Sequence, residues 1–126
     1  MTEADIRALP ASRETDAMVR LIIGVRYHAD SSCEEVEVPY TADTPNGWAA
    51  MRECVAWLAL RGYYVSMNQL TNKTWEAGGN KGYDMFDDPI APVWVTADTL
   101  PLAVARLVLL VKLRESEQKE KANGGT

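Results

Sequence analysis

Histidine, cysteine and phenylalanine are nearly missing from this 126-residue chain, which has one His, two Cys and one Phe. A structural zinc site takes four His or Cys ligands. His28, Cys33 and Cys54 are the whole supply, so no zinc site and no other metal centre is expected. The thiols lie far apart with no CxxC pair, so no disulfide framework is expected and a reducing compartment suits the chain. Long apolar runs are absent too. The most apolar stretch, 100–113, is shorter than the roughly 20 residues of a membrane span and contains Arg106 and Lys112. It reads as a core helix. Met1 to Pro10 shows no basic end followed by an apolar run, so no secretory leader is expected. Basic residues are outnumbered, 13 Lys and Arg against 18 Asp and Glu, for a net charge of -5. An acidic surface repels the phosphate backbone, which argues against nonspecific nucleic-acid binding.

Against these absences stand 47% hydrophobic residues, four Trp and five Tyr, enough for one compact domain with a substantial core. Residues 1–11 carry no period and are expected to be a flexible N-terminus. Residues 12–113 form a single domain, and 114–126 a polar, partly disordered tail.

Ser12 or Thr15 can cap a first helix whose stripe is Met18, Val19, Ile22 and Ile23, with Gly24 at its end. Residues 25–39 include Val36 and Val38 alternating with charges, suited to a short edge strand. A second helix starts at Thr44, with Pro45 in the first helical position and Gly62 as its stop. Its apolar residues Trp48, Met51, Cys54, Val55, Trp57, Leu58 and Leu60 spread over more than one side, so it is expected to be covered on more than one side. Strand signals follow at 63–67, 73–77 and 93–96, with 68–72 a turn and Gly78 to Gly82 a loop. Asp98 or Thr99 then caps a last helix, with Pro101 in its first turn and a nearly all-apolar body to Val111. The order ααβββα, with short loops between strands, predicts an antiparallel sheet. The fold class is α+β, a layered helix/antiparallel sheet/helix sandwich.

Two patterns open helices and carry packing signals: Tyr40-x-x-Asp43-x-x-x-x-Trp48, and Ala97-x-Thr99-x-Pro101-x-Ala103-x-x-Arg106. With the first helix, Asp16 to Gly24, they resemble the phage ABA sandwich domain, a family of small proteins of bacteriophages and prophages. The resemblance covers most of 15–113, with the middle hairpin matched in general character. Ala105 departs from it where a cysteine is common, and the long Gly78 to Pro92 connection is a second departure. It implies a helix-covered sheet, a phage origin and a site of action in the host cytoplasm, and no general activity.

No nucleophile–base pair, metal-ligand set or cofactor fingerprint is present, so a catalytic role and a cofactor are not expected. Two acidic clusters, Glu34, Glu35 and Glu37, and Asp84, Asp87 and Asp88, lack a metal-loop spacing and read as solvated loops. His28 has no motif partner. Gly78-Gly79-Asn80-Lys81-Gly82-Tyr83 exposes backbone N–H groups beside a lysine but does not match the Walker spacing. Arg106 is the one charge within a long apolar run; it is expected to pair with a carboxylate, for which Asp43 is the guess, or with helix-end carbonyls, or to bind an anion. Trp48 reads as core, and one of Trp75 and Trp94 as exposed on a sheet face or edge. The first reading is therefore a phage accessory protein acting by non-catalytic binding to a host or phage protein, with a homo-oligomer expected from its large apolar surface. The second is binding of a small anionic ligand, such as a nucleotide defence signal, by Lys81, Tyr83, Arg106 and Trp75. The third is a small hydrolase using the acidic loop 84–88.

Overall fold

The computed structural model describes residues 1–24, 38–80 and 92–124. Its elements are α1 (Glu3–Arg7), α2 (Arg13–Ile23), α3 (Pro45–Leu60), β1 (Tyr64–Thr71), β2 (Thr74–Asn80), β3 (Val93–Ala97) and α4 (Leu100–Gly124). The chain is α+β, with helices layered on a three-stranded antiparallel sheet of order β1-β2-β3.

Helix ends follow local chemistry. Ser12 caps α2, its hydroxyl accepting from the Thr15 amide at 3.2 Å. Thr44 caps α3 by accepting from the Gly47 amide at 3.1 Å, with Pro45 first in the helix. The end of α3 is a Schellman turn: Gly62 at φ 90°, its N–H donating to Ala59 O and the Tyr63 N–H to Leu58 O. At α4, Thr99 stands in the cap position and its carbonyl accepts from the Ala103 amide, yet its buried hydroxyl makes no hydrogen bond. The position is as expected; the side-chain bond is not.

Three expectations need correction. Residues 1–11 contain a helix, α1, closed by a capping box in which Asp5 N–H donates to Thr2 Oγ1 and Thr2 N–H to Asp5 Oδ2. Ile6 is buried there, and Glu3 pairs with Arg114 at 2.7 Å. Five residues are too short to show a period or to be stable alone, so tertiary contact with α4 makes this helix. The hairpin is also longer than read, because only Asn72 and Lys73 link β1 to β2. Finally, Gly78 and Gly79 lie inside β2 and are buried, not in a loop. A Cβ on Gly78 would come within 2.3 Å of the Trp94 ring, so the glycine is what lets that ring lie across the strand.

Register assigns the faces. Val93, Val95 and Ala97 are buried and pair with Gly79, Ala77 and Trp75, which pair in turn with Val65, Met67 and Gln69. α4 lies on this face against β2 and β3, and α3 lies beside it against β1. α1 and α2 pack on α4, so α4 is covered from several sides. This is why Ala103, Val104, Ala105, Leu107, Val108, Leu110 and Val111 are all fully buried. On the opposite face Trp94 and Tyr64 are exposed. Among the described residues no helix is long and apolar enough to cross a membrane.

Candidate functional site

The segment leading into α3 is a corner held by side chains. Tyr40 and Thr41 are buried. The Asp16 carboxylate on α2 accepts from the Thr41 amide at 2.8 Å and the Thr41 hydroxyl at 2.7 Å. Asp43 Oδ1 accepts from Trp48 Nε1 at 2.8 Å. A carboxylate aimed at an indole N–H fixes the ring's orientation as well as its position. The spacing Asp43-x-x-x-x-Trp48 therefore sets one bond across the helix start, and Asp43 does not pair with Arg106.

That bond holds Trp48 at the surface. It is 37% exposed, where a core residue was expected. Its ring meets half-buried Trp75 from β2 edge to face, with centroids 6.1 Å apart and planes at 81°. Next to this pair an open groove of about 500 Å³ runs between α3 and β1, bordered by Pro45, Trp48, Ala49, Arg52, Val55 and Met67. Its walls are apolar with one guanidinium. Among the described residues that border it none is a nucleophile or general base, and the surface they offer is suited to recognising shape and apolar groups.

Two groups nearby are held neutral. Burial, with the Glu53 carboxylate second, pushes the Tyr40 phenol up to about 12. Burial likewise pushes the Cys54 thiol up to about 12 from an ordinary 9.0. The unfolded chain ionises these groups more readily, so their stabilisation is complete below about pH 9 and is lost as pH rises from 9 towards 12. Urea titrations are expected to show falling stability across that window. In a Cys33→Ser background, Cys54 is expected to resist thiol reagents at pH 8 until the chain unfolds.

Arg106 is engaged inside the protein. Its Nε and Nη2 donate to Leu9 O at 2.9 and 2.5 Å, and its Nη1 donates to Thr96 O at 2.8 Å. Burial lowers its pKa, opposed by the nearby Asp98 charge. The guanidinium therefore fastens the segment after α1 and the strand β3 to α4, and does not enter the groove. Of the two candidate ligand residues among those described, Trp75 reaches the groove region, through Trp48, and Arg106 does not. Pro101 is buried in the first turn of α4. Lys81, Tyr83, Asp84, Asp87, Asp88, His28, Cys33 and the Glu34–Glu37 cluster lie outside the described residues. Among the described residues no group of three His, Cys, Asp or Glu could hold a metal ion.

Sequence reading missed Gly47, Met67 and Arg52. Gly47 is buried against the Ala42 carbonyl, and its one sequence signal is a glycine in the first turn of a helix, where intrinsic propensity disfavours it. Met67 and Arg52 gave none, because they meet only through the packing of α3 on β1. No family model matches the chain, and comparisons with curated proteins and with solved structures found no match.

Proposed function

We propose that this protein is a bacteriophage or prophage accessory protein that acts by non-catalytic binding in the host cytoplasm, with the α3–β1 groove as its recognition surface. One observation carries the binding reading: a hydrogen-bonded corner places an aromatic pair beside an open apolar groove whose border, among the described residues, holds no reactive group. The phage origin rests on the resemblance of the Tyr40–Trp48, Ala97–Arg106 and first-helix stretches to the phage ABA sandwich domain. Sequestration of a small anionic ligand draws no support from Arg106, whose guanidinium directs three of its five N–H donors to main-chain carbonyls of this chain.

Two variants made in the full chain test this reading. Ala49→Arg fills the groove from an exposed position, and Asp84→Asn, Asp87→Asn and Asp88→Asn together neutralise the acidic loop. Expressed in a bacterial host, the wild type is expected to change phage plating or host growth. Ala49→Arg is expected to lose that effect while keeping a wild-type circular dichroism spectrum, and the triple variant to keep it. The opposite pattern would transfer the function to hydrolysis by the acidic loop. A nucleotide panel is expected to leave Tm unchanged. A ligand at a hundredfold excess over Kd would instead add about 2.7 kcal/mol, and that result would favour the anionic-ligand reading.

A further inference from the structure

The sheet has two edges, and the chain treats them differently. At β3, the outward carbonyls of Trp94 and Thr96 accept from Arg7 Nη1 at 2.7 Å and Arg106 Nη1 at 2.8 Å. Guanidinium groups thus occupy the acceptors that an added strand would need, a familiar way to close an edge. Among the described residues β1 has no such guard. Among the described residues β2 is its one strand neighbour. The sequence Tyr64-Val-Ser-Met-Asn-Gln-Leu-Thr71 contains no charge, no Pro and no Gly. At about 3.4 Å per residue the strand offers about 27 Å of open ladder. Tyr64, Met67 and Leu70 are 70%, 42% and 52% exposed along it. The register is regular from Tyr64 to Gln69 and slips only before Thr71.

α3 continues this edge as a second unguarded wall. Arg52 and Glu53 are the only charges among its 16 residues. Ala49, Ala56, Ala59 and Leu60 stand exposed on its outer side, Leu60 at 89%. Small exposed residues at helical spacing let another backbone approach closely. The groove joins the two walls, since Met67 belongs to β1 and Ala49, Arg52 and Val55 to α3.

We infer that this edge and this helix face form the interface for a second copy of the chain, with two β1 strands paired antiparallel about a two-fold axis into a six-stranded sheet. The inference rests on reading the α3–β1 groove as a binding surface and names its occupant. Three arguments favour a second copy over a foreign peptide. Antiparallel pairing of a strand with itself is self-complementary, as a two-fold interface requires. Two bodies of net charge -5 repel, so a self-interface must lie where charge is scarce, and an uncharged strand beside a helix with two opposite charges meets that need. Area is the third. A ladder about 27 Å long and one strand wide falls well short of the roughly 800 Å² per partner that a stable dimer buries. A peptide on β1 would leave the α3 stripe bare, whereas a second copy brings its own α3 to cover it. Directly opposite side chains of an antiparallel pair share a face, so a two-fold axis near the middle of β1 that passes beside Met67 pairs this residue with its own copy and sets the two Met67 side chains near one another beside both grooves.

Light scattering coupled to size exclusion tests this with the full chain. The wild type is expected at about 28 kDa, twice the 14.0 kDa of one chain. Met67→Lys on the edge and Leu60→Glu on α3 are each expected to weaken the dimer at least tenfold while preserving circular dichroism. Leu21→Glu, at an 86% exposed position on α2, is expected to remain a dimer. Amide exchange in 64–71 is expected to slow as protein concentration rises. A wild type that stays at 14.0 kDa into the hundred-micromolar range would overturn the inference and leave the edge to a foreign extended segment, with the binding reading still standing. A dimer indifferent to both Met67→Lys and Leu60→Glu would overturn it as well. The binding reading fails separately, when Ala49→Arg leaves the cellular effect intact.

Discussion

Gly47→Ala is expected to cost about 3 kcal/mol or more, an effect out of proportion to one methyl group. A Cβ at this position would lie 1.8 Å from Ala42 O, 2.8 Å from Ala42 C and 3.0 Å from Pro39 O. All three are main-chain atoms, so no rotamer change relieves the clash. The corner that carries them is itself held, by the Ala42 N–H donating to Pro39 O, by Thr41 donating twice to Asp16, and by buried Tyr40. Relief therefore requires α3 to retreat from the corner, which would also disturb the Asp43–Trp48 bond and the Thr44 cap. Helix propensity acts the other way, since alanine is favoured over glycine by about 1 kcal/mol within helices. A net loss is thus a direct measure of the steric term. In a domain whose whole stability is of order 5–15 kcal/mol, the expected change lowers Tm by about 10 °C or more. Urea denaturation of wild type and variant would measure it. A Gly47→Ala protein within about 1 kcal/mol of wild type would show that the corner yields.

Arg106→Met is expected to destabilise the chain by about 3 kcal/mol and to open the guarded sheet edge. Three donors are removed at once, two on Leu9 O and one on Thr96 O, and their acceptors lie on the segment after α1 and on β3. Charged donors contribute about 1.5–3 kcal/mol each. The sum is discounted because the guanidinium is only half-buried and freed carbonyls can recover water. Arg106→Lys should recover little of the loss, since one ammonium cannot reach both carbonyls as a planar fork does. Exposing the Thr96 carbonyl should also promote strand addition at β3, seen as light scattering that grows with concentration and grows further when Arg7→Ala is combined with it. Full rescue by lysine, or a loss below about 1 kcal/mol, would show that the fork carries little of the stability.

The legible parts of this protein are those written in neighbouring residues. Ser12, Thr44 with Pro45, Gly62, and the proline in the first turn of α4 mark helix ends because caps and stops act over three or four residues. The apolar run from Leu102 to Val111 announced a buried helix, and three short strands with a helix on each side in sequence announced an α+β layering. Gly78 and Gly79 misled for an equally local reason. Two adjacent glycines resemble a loop until Trp94 is seen to need the space above one and Leu107 and Tyr63 to crowd the other. Arg106 had two open readings, and only the fold brought Leu9 and Thr96, one of them 97 residues away, within reach of its guanidinium.

Residue type and spacing along the chain were enough to establish the element order from α2 onward, the caps of α2 and α3 and most of the core, because those depend on backbone preferences and on how much apolar surface must leave water. Which side chains meet was decided by the packing of α3 and α4 on the sheet. That packing put Trp48 at the surface beside Trp75, spent Arg106 and Arg7 on the β3 edge, and left β1 without a guard among the described residues. Contacts between residues distant in the chain depend on strand register and helix placement, and no short stretch of sequence encodes either.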